Sequence, residues 1–377
     1  MLSYWEQESF LRYDDIIAGA GIVGLHTAIE LKERFPHRRI LVLERSLFPY
    51  GASTRNAGFA CMGSFTELLD DLRHHSEAEM VDLFLLRSKG LALLRRRLGD
   101  GPIGYRENGS YELIGPKELS LLEQLPRINT LVAAATGHEP FRMANDRIAS
   151  FGFDSRQVHA LIENTGEGEL HTGRMMRRLT DYALQSGIEI KTGAGISAFH
   201  EEERHVTVML EDPARKSAVR LHSERLFICT NAFAPTLLPG VPLKPGRGQV
   251  LVTEPVPGLP FKGIFHFDEG YYYFREIDGR VLFGGGRNLD FEGETTTEIT
   301  LHAAIQADLE QKLHQLILPG RKAAIAMRWA GIMAFGDVKR PVVQSFGNRV
   351  YGAFRMGGMG VALGAAIARQ LAELAEA

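Results

Sequence analysis

The hydrophobic pattern near the start of the chain predicts a strand, a glycine turn, a helix and a second strand. The apolar run Ile16-Ile17-Ala18 leads into Gly19-Ala20-Gly21-Ile22-Val23-Gly24, and a helical stretch follows to Phe35. A second apolar run, Ile40 to Leu43, ends at Glu44. Short apolar runs and helical periodicity separated by glycine turns are typical of α/β folds.

The same order of strand, glycine turn and helix returns at the C-terminal end. Val350 to Phe354 precede Arg355-Met356-Gly357-Gly358-Met359-Gly360 and a helix rich in Ala and Leu. Between the two ends, the pattern predicts helices over 67–98, 174–185 and 299–316, and strands over 188–191, 206–210, 219–221, 226–229, 250–253, 271–274 and 281–284. The alternation in the last three strands predicts an antiparallel sheet, and residues 100–150 are expected to form an inserted lobe.

Composition narrows the function classes. The 43 Lys and Arg residues nearly balance the 46 Asp and Glu residues and are spread along the 377-residue chain, so we expect neither nucleic acid nor a stable membrane insertion. Cys61 and Cys229 follow no metal-ligand or redox spacing, so we expect no metal site and a reducing compartment. Residues 1–13 do not form a secretion signal, and no stretch is apolar enough to span a bilayer, so the expected location is cytoplasmic.

The first glycine turn has the spacing of a dinucleotide site. Gly19 would make the tight turn, Gly21 would let a diphosphate approach the backbone, and Gly24 would let the helix pack closely on the strand. Glu44, about twenty residues further on, is placed to bind a ribose and disfavours the extra phosphate of NADP. Gly193-Ala194-Gly195 leads into strand-like sequence, so we discount it as a second fingerprint. The turn itself leaves both FAD and NAD open.

Several further segments carry a family resemblance over nearly the whole length. They are Leu43-Glu44-Arg45, Ser53-Thr54-Arg55-Asn56-Ala57-Gly58, Phe227 to Ala232, Tyr271-Tyr272-Tyr273-Phe274-Arg275, Asp278 to Gly285, Trp329-Ala330-Gly331 before Asp337, and the C-terminal glycine turn. In order and spacing the chain resembles the FAD-dependent amine and amino-acid oxidoreductases, the family that includes D-amino acid oxidase, glycine oxidase and sarcosine oxidase.

The resemblance implies an α/β fold in which a Rossmann-like FAD-binding domain is combined with a discontinuous α+β substrate domain built on an antiparallel sheet. The expected FAD-binding domain covers 1–85, 150–245 and 325–377, and the expected substrate domain covers 86–149 and 246–324.

The resemblance also implies the cofactor and its contacts. The cofactor would be FAD. Covalent flavin attachment in this family uses a Cys late in the chain or a His in the loop after the acid, and this chain has no Cys beyond Cys229 and no His between Glu44 and Gly58, so FAD would be held noncovalently. Cys61 is expected to be a buried, unreactive thiol. The expected cofactor-binding residues are Gly19, Gly21, Ile22, Val23, Gly24, Glu44, Arg45, Ser53, Thr54, Arg55, Asn56, Ala57, Gly58, Thr230, Asn231, Ala232, Gly331, Arg355, Met356, Gly357, Gly358, Met359 and Gly360.

The C-terminal turn also has a physical rationale of its own. A reduced flavin is an anion, and amide groups at a helix N-terminus would stabilise it, with Gly357, Gly358 and Gly360 permitting the close approach. The alternative is a turn whose glycines serve only helix packing.

On the substrate side, alternation places Tyr271, Tyr273 and Arg275 on one face of their strand, and these are the expected catalytic residues. They either line the site together with His266 or are amphipathic filler. The oxidases that act on D-amino acids and glycine have a carboxylate-binding Arg where this chain has Ile332-Met333-Ala334. A substrate carboxylate would therefore need Arg275, Arg55 or Arg328, or would be absent.

We therefore expect an enzyme that oxidises the C–N bond of an amine or amino acid to an imine, by hydride transfer to flavin N5, followed by hydrolysis. Oxygen or an electron carrier would reoxidise the flavin. The alternatives are an NAD(P)H-dependent flavin monooxygenase and a noncatalytic FAD-binding protein.

Overall fold

The computed structural model describes residues 2–212 and 217–376. Its α-helices are α1 (Tyr4–Phe10), α2 (Ile22–Arg34), α3 (Phe65–Asp71), α4 (Glu77–Leu98), α5 (Asp100–Ile103), α6 (Leu125–Thr136), α7 (Thr172–Gln185), α8 (Ala303–Lys312) and α9 (Gly360–Leu374). Among the described residues no helix is both long enough and apolar enough to cross a membrane.

The strands are β1 (Arg12–Ala18), β2 (Ile40–Leu43), β3 (Phe59–Ala60), β4 (Ser110–Ile114), β5 (Phe141–Met143), β6 (Ala160–Asn164), β7 (Gly168–Glu169), β8 (Glu189–Lys191), β9 (Ile196–Glu201), β10 (Val206–Asp212), β11 (Ser217–Ile228), β12 (Lys244–Thr253), β13 (Ile264–Phe267), β14 (Tyr272–Ile277), β15 (Arg280–Gly285), β16 (Ile325–Phe335), β17 (Val342–Ser345) and β18 (Val350–Phe354). Two eight-stranded sheets contain all of them except the small β3–β7 pair.

The first sheet has a parallel centre in the order β18-β11-β1-β2-β8, with β17 antiparallel at one edge and the β9–β10 pair antiparallel beside β11. Helices α2, α4, α7 and α9 contribute to a core that covers one face of this sheet. The close packing of α2 on α9 depends on Gly364, since a Cβ there would lie 2.4 Å from Cγ2 of Ile22. The two ends of the chain therefore lie together.

The second sheet has the order β16-β12-β15-β14-β13-β4-β6-β5, and every neighbouring pair is antiparallel except β13–β4. One face packs against α8 through an aromatic core in which Phe265 and Phe274 stack with ring centroids 4.7 Å apart. Rings stacked at this distance bury a large apolar area in a rigid arrangement.

The α/β fold with mixed sheets confirms the coarse expectation, and several element bounds are corrected. The strands expected at 219–221 and 226–229 form one continuous strand, β11, because β1 and β10 both pair along it. The helix expected over 67–98 is two helices, since Ser76 caps a new N-terminus. The helix expected over 299–316 is α8, which begins four residues later and ends in a single π turn at Leu313–Ile317.

The domain bounds stay a prediction, but two strands and one helix associate with a different sheet from the one that the expected domain division assigned to them. β6 and β16 belong to the second sheet, although 150–245 and 325–377 were expected in the nucleotide domain. The C-terminal part of α4 packs in the first core, although 86–149 was expected in the substrate domain. The expected boundaries followed the order of sequence patterns, which carries no information about long-range pairing.

Candidate functional site

A cavity of about 720 Å³ is lined by residues from both sheets, within the size range of small-molecule and cofactor sites. The first glycine turn, the end of β2 and the C-terminal glycine turn contribute to its wall, and so do β12, β14 and β16 of the second sheet. The cavity thus connects the two turns that the sequence singled out.

The first glycine turn has little freedom for larger residues. Gly19 adopts a φ of +100°, and a Cβ on Gly24 would lie 1.9 Å from the carbonyl oxygen of Gly19. Only glycine at 24 lets the first turn of α2 approach the strand end this closely. Glu44 accepts hydrogen bonds from the amides of Ala20 (3.2 Å) and Ser46 (3.1 Å), so its carboxylate is fixed at the end of β2.

The loop 53–58 lies against this turn and against the second sheet. The Ser53 hydroxyl accepts a hydrogen bond from the Ile22 amide at 3.0 Å, so it satisfies one of the free amides at the start of α2. Arg55 donates to the carbonyl of Ala330 at 2.7 Å, and the Trp329 indole donates back to the Arg55 carbonyl at 3.0 Å. The loop therefore bridges the two sheets along one side of the cavity.

The C-terminal turn faces open space. Gly357 adopts a φ of +55°, and a Cβ on either Gly357 or Gly358 would meet no atom of the described residues within 4 Å. The Asn231 side chain accepts hydrogen bonds from the amides of Arg355 (3.0 Å) and Met356 (3.4 Å), which joins the turn to the end of β11. This turn is not filled by packing at Gly357 and Gly358, whereas Gly364, further along α9, is a packing glycine.

Most of the expected site residues line this one cavity. Five do not: Gly24, Thr54, Gly58, Ala232 and Arg275. Those that do are Gly19, Gly21, Ile22, Val23, Glu44, Arg45, Ser53, Arg55, Asn56, Ala57, Thr230, Asn231, Tyr271, Tyr273, Gly331, Arg355, Met356, Gly357, Gly358, Met359 and Gly360.

Arg275 lies outside the cavity wall, contrary to the expectation for a substrate-binding cation. Its guanidinium donates to the carbonyls of Gly58 (3.1 Å) and Leu170 (2.7 Å), and Glu169 lies 3.7 Å away. Burial lowers the pKa of this arginine. Because its donors are committed to backbone carbonyls, Arg275 holds the end of the 53–58 loop rather than presenting a charge to a ligand.

The second sheet contributes an aromatic wall. Tyr271 and Tyr273 line the cavity, as does His266, whose ring meets Phe59 edge to face at 5.1 Å. Burial raises the pKa of Tyr273 to about 12 and lowers the pKa of His266, so both side chains are held neutral at physiological pH. The alternation correctly assigned Tyr273 to the face opposite Phe274, whereas Tyr271, which precedes β14, lines the cavity and also packs against the core that contains Phe274.

Arg328 also lies outside the cavity wall: its guanidinium donates to Gln306 and Glu310 at 2.6 Å each. Arg55 is on the wall but is engaged by Ala330 and stacks over Tyr50 at 4.1 Å. The cations considered from sequence for a substrate carboxylate are therefore already occupied by protein partners.

Sequence reasoning missed part of the wall. Arg287, Glu67 and Lys339 line the cavity, and so do Ala194 and Gly195 of the discounted glycine triplet. The triplet follows β8, a strand of the same parallel sheet as β1 and β2, and that strand order was the missing information. Arg287 follows the glycine run that ends β15, and a charged residue directly after such a run was the available signal.

Two buried carboxyl groups fix the segment 61–66 beside the cavity. Glu167 accepts hydrogen bonds from the amides of Met62 and Gly63, and Glu112 accepts one from the amide of Thr66 at 3.2 Å. Burial raises the pKa of Glu167 to about 7 and that of Glu112 to about 8. Burial also raises the pKa of the Cys61 thiol, which disfavours a reactive thiolate at the wall.

The polar atoms left unpaired at the wall fit a polar ligand. Among residues 2–212 and 217–376, the buried atoms Thr230 Oγ1, His266 Nε2 and Arg287 Nε have no hydrogen-bond partner. Buried polar atoms are rarely left unpaired in a folded protein, so these three atoms are available to a bound group. Together with the open backbone at Gly357 and Gly358, they suit a nucleotide cofactor with a substrate beside it.

A mixed α/β fold with two glycine turns on one cavity places the chain in the class of nucleotide-cofactor oxidoreductases. A family model described as FAD dependent oxidoreductase (DAO) matches residues 14–374. The chain belongs to this family, and the expected FAD cofactor is confirmed with it.

Individual relatives are distant. The bifunctional protein ThiO/ThiG of Trichormus variabilis is 24% identical over 296 residues, which make up 72% of this chain and 39% of that protein. The chain thus spans about two fifths of the length of this curated relative.

Solved structures share the fold along nearly the whole chain. L-proline dehydrogenase from P. horikoshii superimposes with a TM-score of 0.77 at 16% identity, covering 97% of this chain and 93% of that one. Glycine oxidase from Geobacillus kaustophilus does so with a TM-score of 0.77 at 20% identity, covering 97% and 95%. At these identities the likeness establishes the fold alone.

Proposed function

We propose that this protein oxidises the C–N bond of an amine or amino acid to an imine, which water then hydrolyses, and that it holds FAD noncovalently while doing so. The observation that carries the proposal is the shared cavity, which joins the first glycine turn, the C-terminal glycine turn and the aromatic wall. The neighbours named as an L-proline dehydrogenase and a glycine oxidase support an amino-acid or amine substrate.

The diphosphate and ribose would lie at the first turn. The amides at the start of α2 and the helix dipole attract phosphate, and the fixed Glu44 carboxylate is suited to accept hydrogen bonds from ribose hydroxyls. The open backbone at Gly357 and Gly358 would face the ring system, where the N-terminus of α9 favours negative charge. The burial of Cys61 supports noncovalent attachment.

When bound, FAD supplies the two-electron acceptor, by accepting hydride at N5. The protein would orient the substrate and exclude water. Tyr273 and His266, both held neutral, line the pocket without a charge that would retain an ammonium, and the hydroxyl of Tyr273 makes no hydrogen bond to another described residue. It is therefore free to position a substrate. Oxygen or an electron carrier would then take the electrons.

We also propose a revised division of the chain. The nucleotide part would comprise the first sheet with α2, α4, α7 and α9, and the substrate part the second sheet, including β6 and β16, with α6 and α8. Sheet membership supports this division better than the sequence boundaries do.

The test is an anaerobic titration of the FAD-loaded protein with a panel of amines and amino acids, read at the flavin absorbance. We expect rapid bleaching by at least one member of the panel. Rapid bleaching by NADPH instead would support a monooxygenase, and no bleaching by any compound would support a noncatalytic flavoprotein.

A further inference from the structure

Arg287 is a cation on the cavity wall that has no hydrogen-bonding or ionic side-chain partner in the part of the chain that the structure describes. Its guanidinium makes no hydrogen bond or ion pair to any residue in 2–212 or 217–376, and its Nε is buried. The group lies over the rings of Phe335 at 4.0 Å and Phe291 at 5.0 Å. Burial lowers its pKa, as expected for a cation without a counter-ion.

The other cations of the wall are either engaged or exposed. Arg87 donates to the Met62 carbonyl at 2.7 Å, Arg355 donates to the Arg340 carbonyl at 2.8 Å, and Lys339 pairs with Asp70 at 3.3 Å. Arg55 is engaged by Ala330, as described above. Arg45 is solvent-exposed, and its guanidinium lies over the ring of Phe233.

The nearby carboxylate Glu294 does not neutralise Arg287. It pairs with Arg247 at 2.6 Å and also accepts a hydrogen bond from Gln249 at 3.1 Å. An arginine stays charged at all physiological pH values, and a desolvated charge without a partner is costly. Arg287, whose planar guanidinium lies over two rings without a hydrogen-bond acceptor among the described residues, suits a planar anion such as a carboxylate.

Glu67, one of the carboxylates on the same wall, lies beside Gly270, the residue before Tyr271. The ring of Tyr271 meets the ring of Phe291 edge to face at 5.8 Å, and the guanidinium of Arg287 lies over the same Phe291 ring. A Cβ on the preceding Gly270 would lie 2.8 Å from the carboxyl carbon of Glu67. Glu67 accepts a hydrogen bond from the Ser64 amide at 3.0 Å and makes no ion pair with a described residue.

We propose that Arg287 binds the carboxylate of an amino-acid substrate, and that Glu67 disfavours a substrate with a second carboxylate. This inference rests on the proposed function and narrows its substrate class to amino acids whose side chain is neutral or basic. Ile332, Met333 and Ala334 lie on β16, which β12 separates from β15, and they offer no charge, so Arg287 supplies the cation from just beyond the end of β15.

Carboxylate binding is tested apart from turnover. The FAD-loaded protein is titrated with acetate, benzoate and anthranilate, and the perturbation of the flavin spectrum gives each Kd. Arg287→Met should weaken binding of the tightest of these by about 30-fold or more, the usual effect of removing one member of a buried charge pair. Arg287→Lys keeps the positive charge but lacks the planar guanidinium, so its Kd for the carboxylate should lie between those of the wild type and Arg287→Met.

The matched control is Arg280→Met, which removes the same charge from the first residue of β15, the strand that Arg287 follows. Arg280 lies outside the cavity wall and pairs with Glu254 at 3.2 Å, so its loss should change each Kd by less than about twofold. Equal carboxylate affinities in Arg287→Met and Arg280→Met would overturn the proposal. So would a wild-type protein whose spectrum responds to none of the three carboxylates.

Turnover then separates this proposal from the proposed function. With phenylalanine and phenethylamine as a pair, Arg287→Met should raise KM for the amino acid and leave KM for the amine unchanged. Glu67→Gln should raise the activity on glutamate relative to glutamine, because the repulsion between two carboxylates is removed. Absence of bleaching by every amine and amino acid would contradict the function, whereas the dependence of Kd on Arg287 decides the carboxylate site.

Discussion

Replacing Gly358 by valine separates a cofactor role of the C-terminal turn from a packing role. The φ of Gly358 is outside the left-handed region, and a Cβ there would lie more than 4 Å from every atom in residues 2–212 and 217–376 outside its own chain neighbours. The apoprotein should therefore keep its stability within about 0.5 kcal/mol. The added side chain would project into the cavity where the isoalloxazine ring is expected, so its cost should appear only when FAD binds.

The size of that cost follows from the contact that would be lost. A hydrogen bond to a charged group contributes about 1.5–3 kcal/mol, which corresponds to a 10- to 150-fold loss of affinity. If the lost contact acts only on the reduced flavin, the same energy lowers the two-electron midpoint potential by roughly 30–65 mV. The affinity for FAD is measured by titrating FAD with the apoprotein and following the quenching of the flavin fluorescence. The midpoint potential is measured by reduction in the presence of a reference dye.

Gly364→Ala is the structural comparison, because its Cβ would lie 2.4 Å from a side-chain carbon of Ile22 on α2. Overpacking of this kind should destabilise the apoprotein by about 1–3 kcal/mol in urea unfolding. An unchanged FAD affinity and potential in Gly358→Val would refute the cofactor role. Destabilisation of its apoprotein as large as that of Gly364→Ala would refute the claim that the position is open.

Three further outcomes are expected. Glu44→Ala should weaken FAD binding about 10- to 100-fold, because a fixed ribose acceptor is lost, and a Kd equal to wild type would remove that role. The thiols Cys61 and Cys229 should react with a disulfide reagent at pH 8 far more slowly in the folded than in the urea-unfolded protein, since burial raises the pKa of both. Burial raises the pKa of Glu112 to about 8, so its contribution to stability is full below its ordinary pKa of about 4.3 and is lost as the pH rises to about 8. Glu112→Gln should remove this loss, at up to about 1.4 kcal/mol per pH unit, and urea unfolding of both proteins with the same pH dependence would contradict the assignment.

Local features of the fold were predictable from the sequence because they depend on neighbouring residues. The strand Ile40–Leu43 has the expected bounds, and α2 begins inside the glycine turn and ends one residue before Phe35, the expected end. The family and the cofactor were recognised from short motifs in a fixed order, and the family model confirms both. The individual cofactor contacts stay predictions.

Long-range pairing was not predictable in the same way. β11 lies between β1 and β18 in the first sheet, although more than a hundred residues separate it from either strand. β6 joins the second sheet although the segment around it was expected in the nucleotide domain. A hydrophobic pattern states that a strand is buried, but several strands with the same pattern compete for each edge, and their relative energies depend on the assembled core.

Arg275 and Arg287 show why a residue's face on a strand does not decide its availability to a ligand. The alternation of β14 turns Arg275 to the same face as Tyr273, but the 57–58 segment and the Leu170 carbonyl cover that face at Arg275 and take up its donors. Arg287 lies beyond the end of the adjacent strand, where its guanidinium lies over two aromatic rings. A cation becomes available to a substrate where the rest of the chain no longer covers the sheet. A ligand-binding cation is therefore expected at an uncovered strand end. On this reasoning, loss of Arg275 would loosen the 53–58 loop and with it FAD retention, whereas loss of Arg287 would leave FAD bound and remove the affinity for a carboxylate.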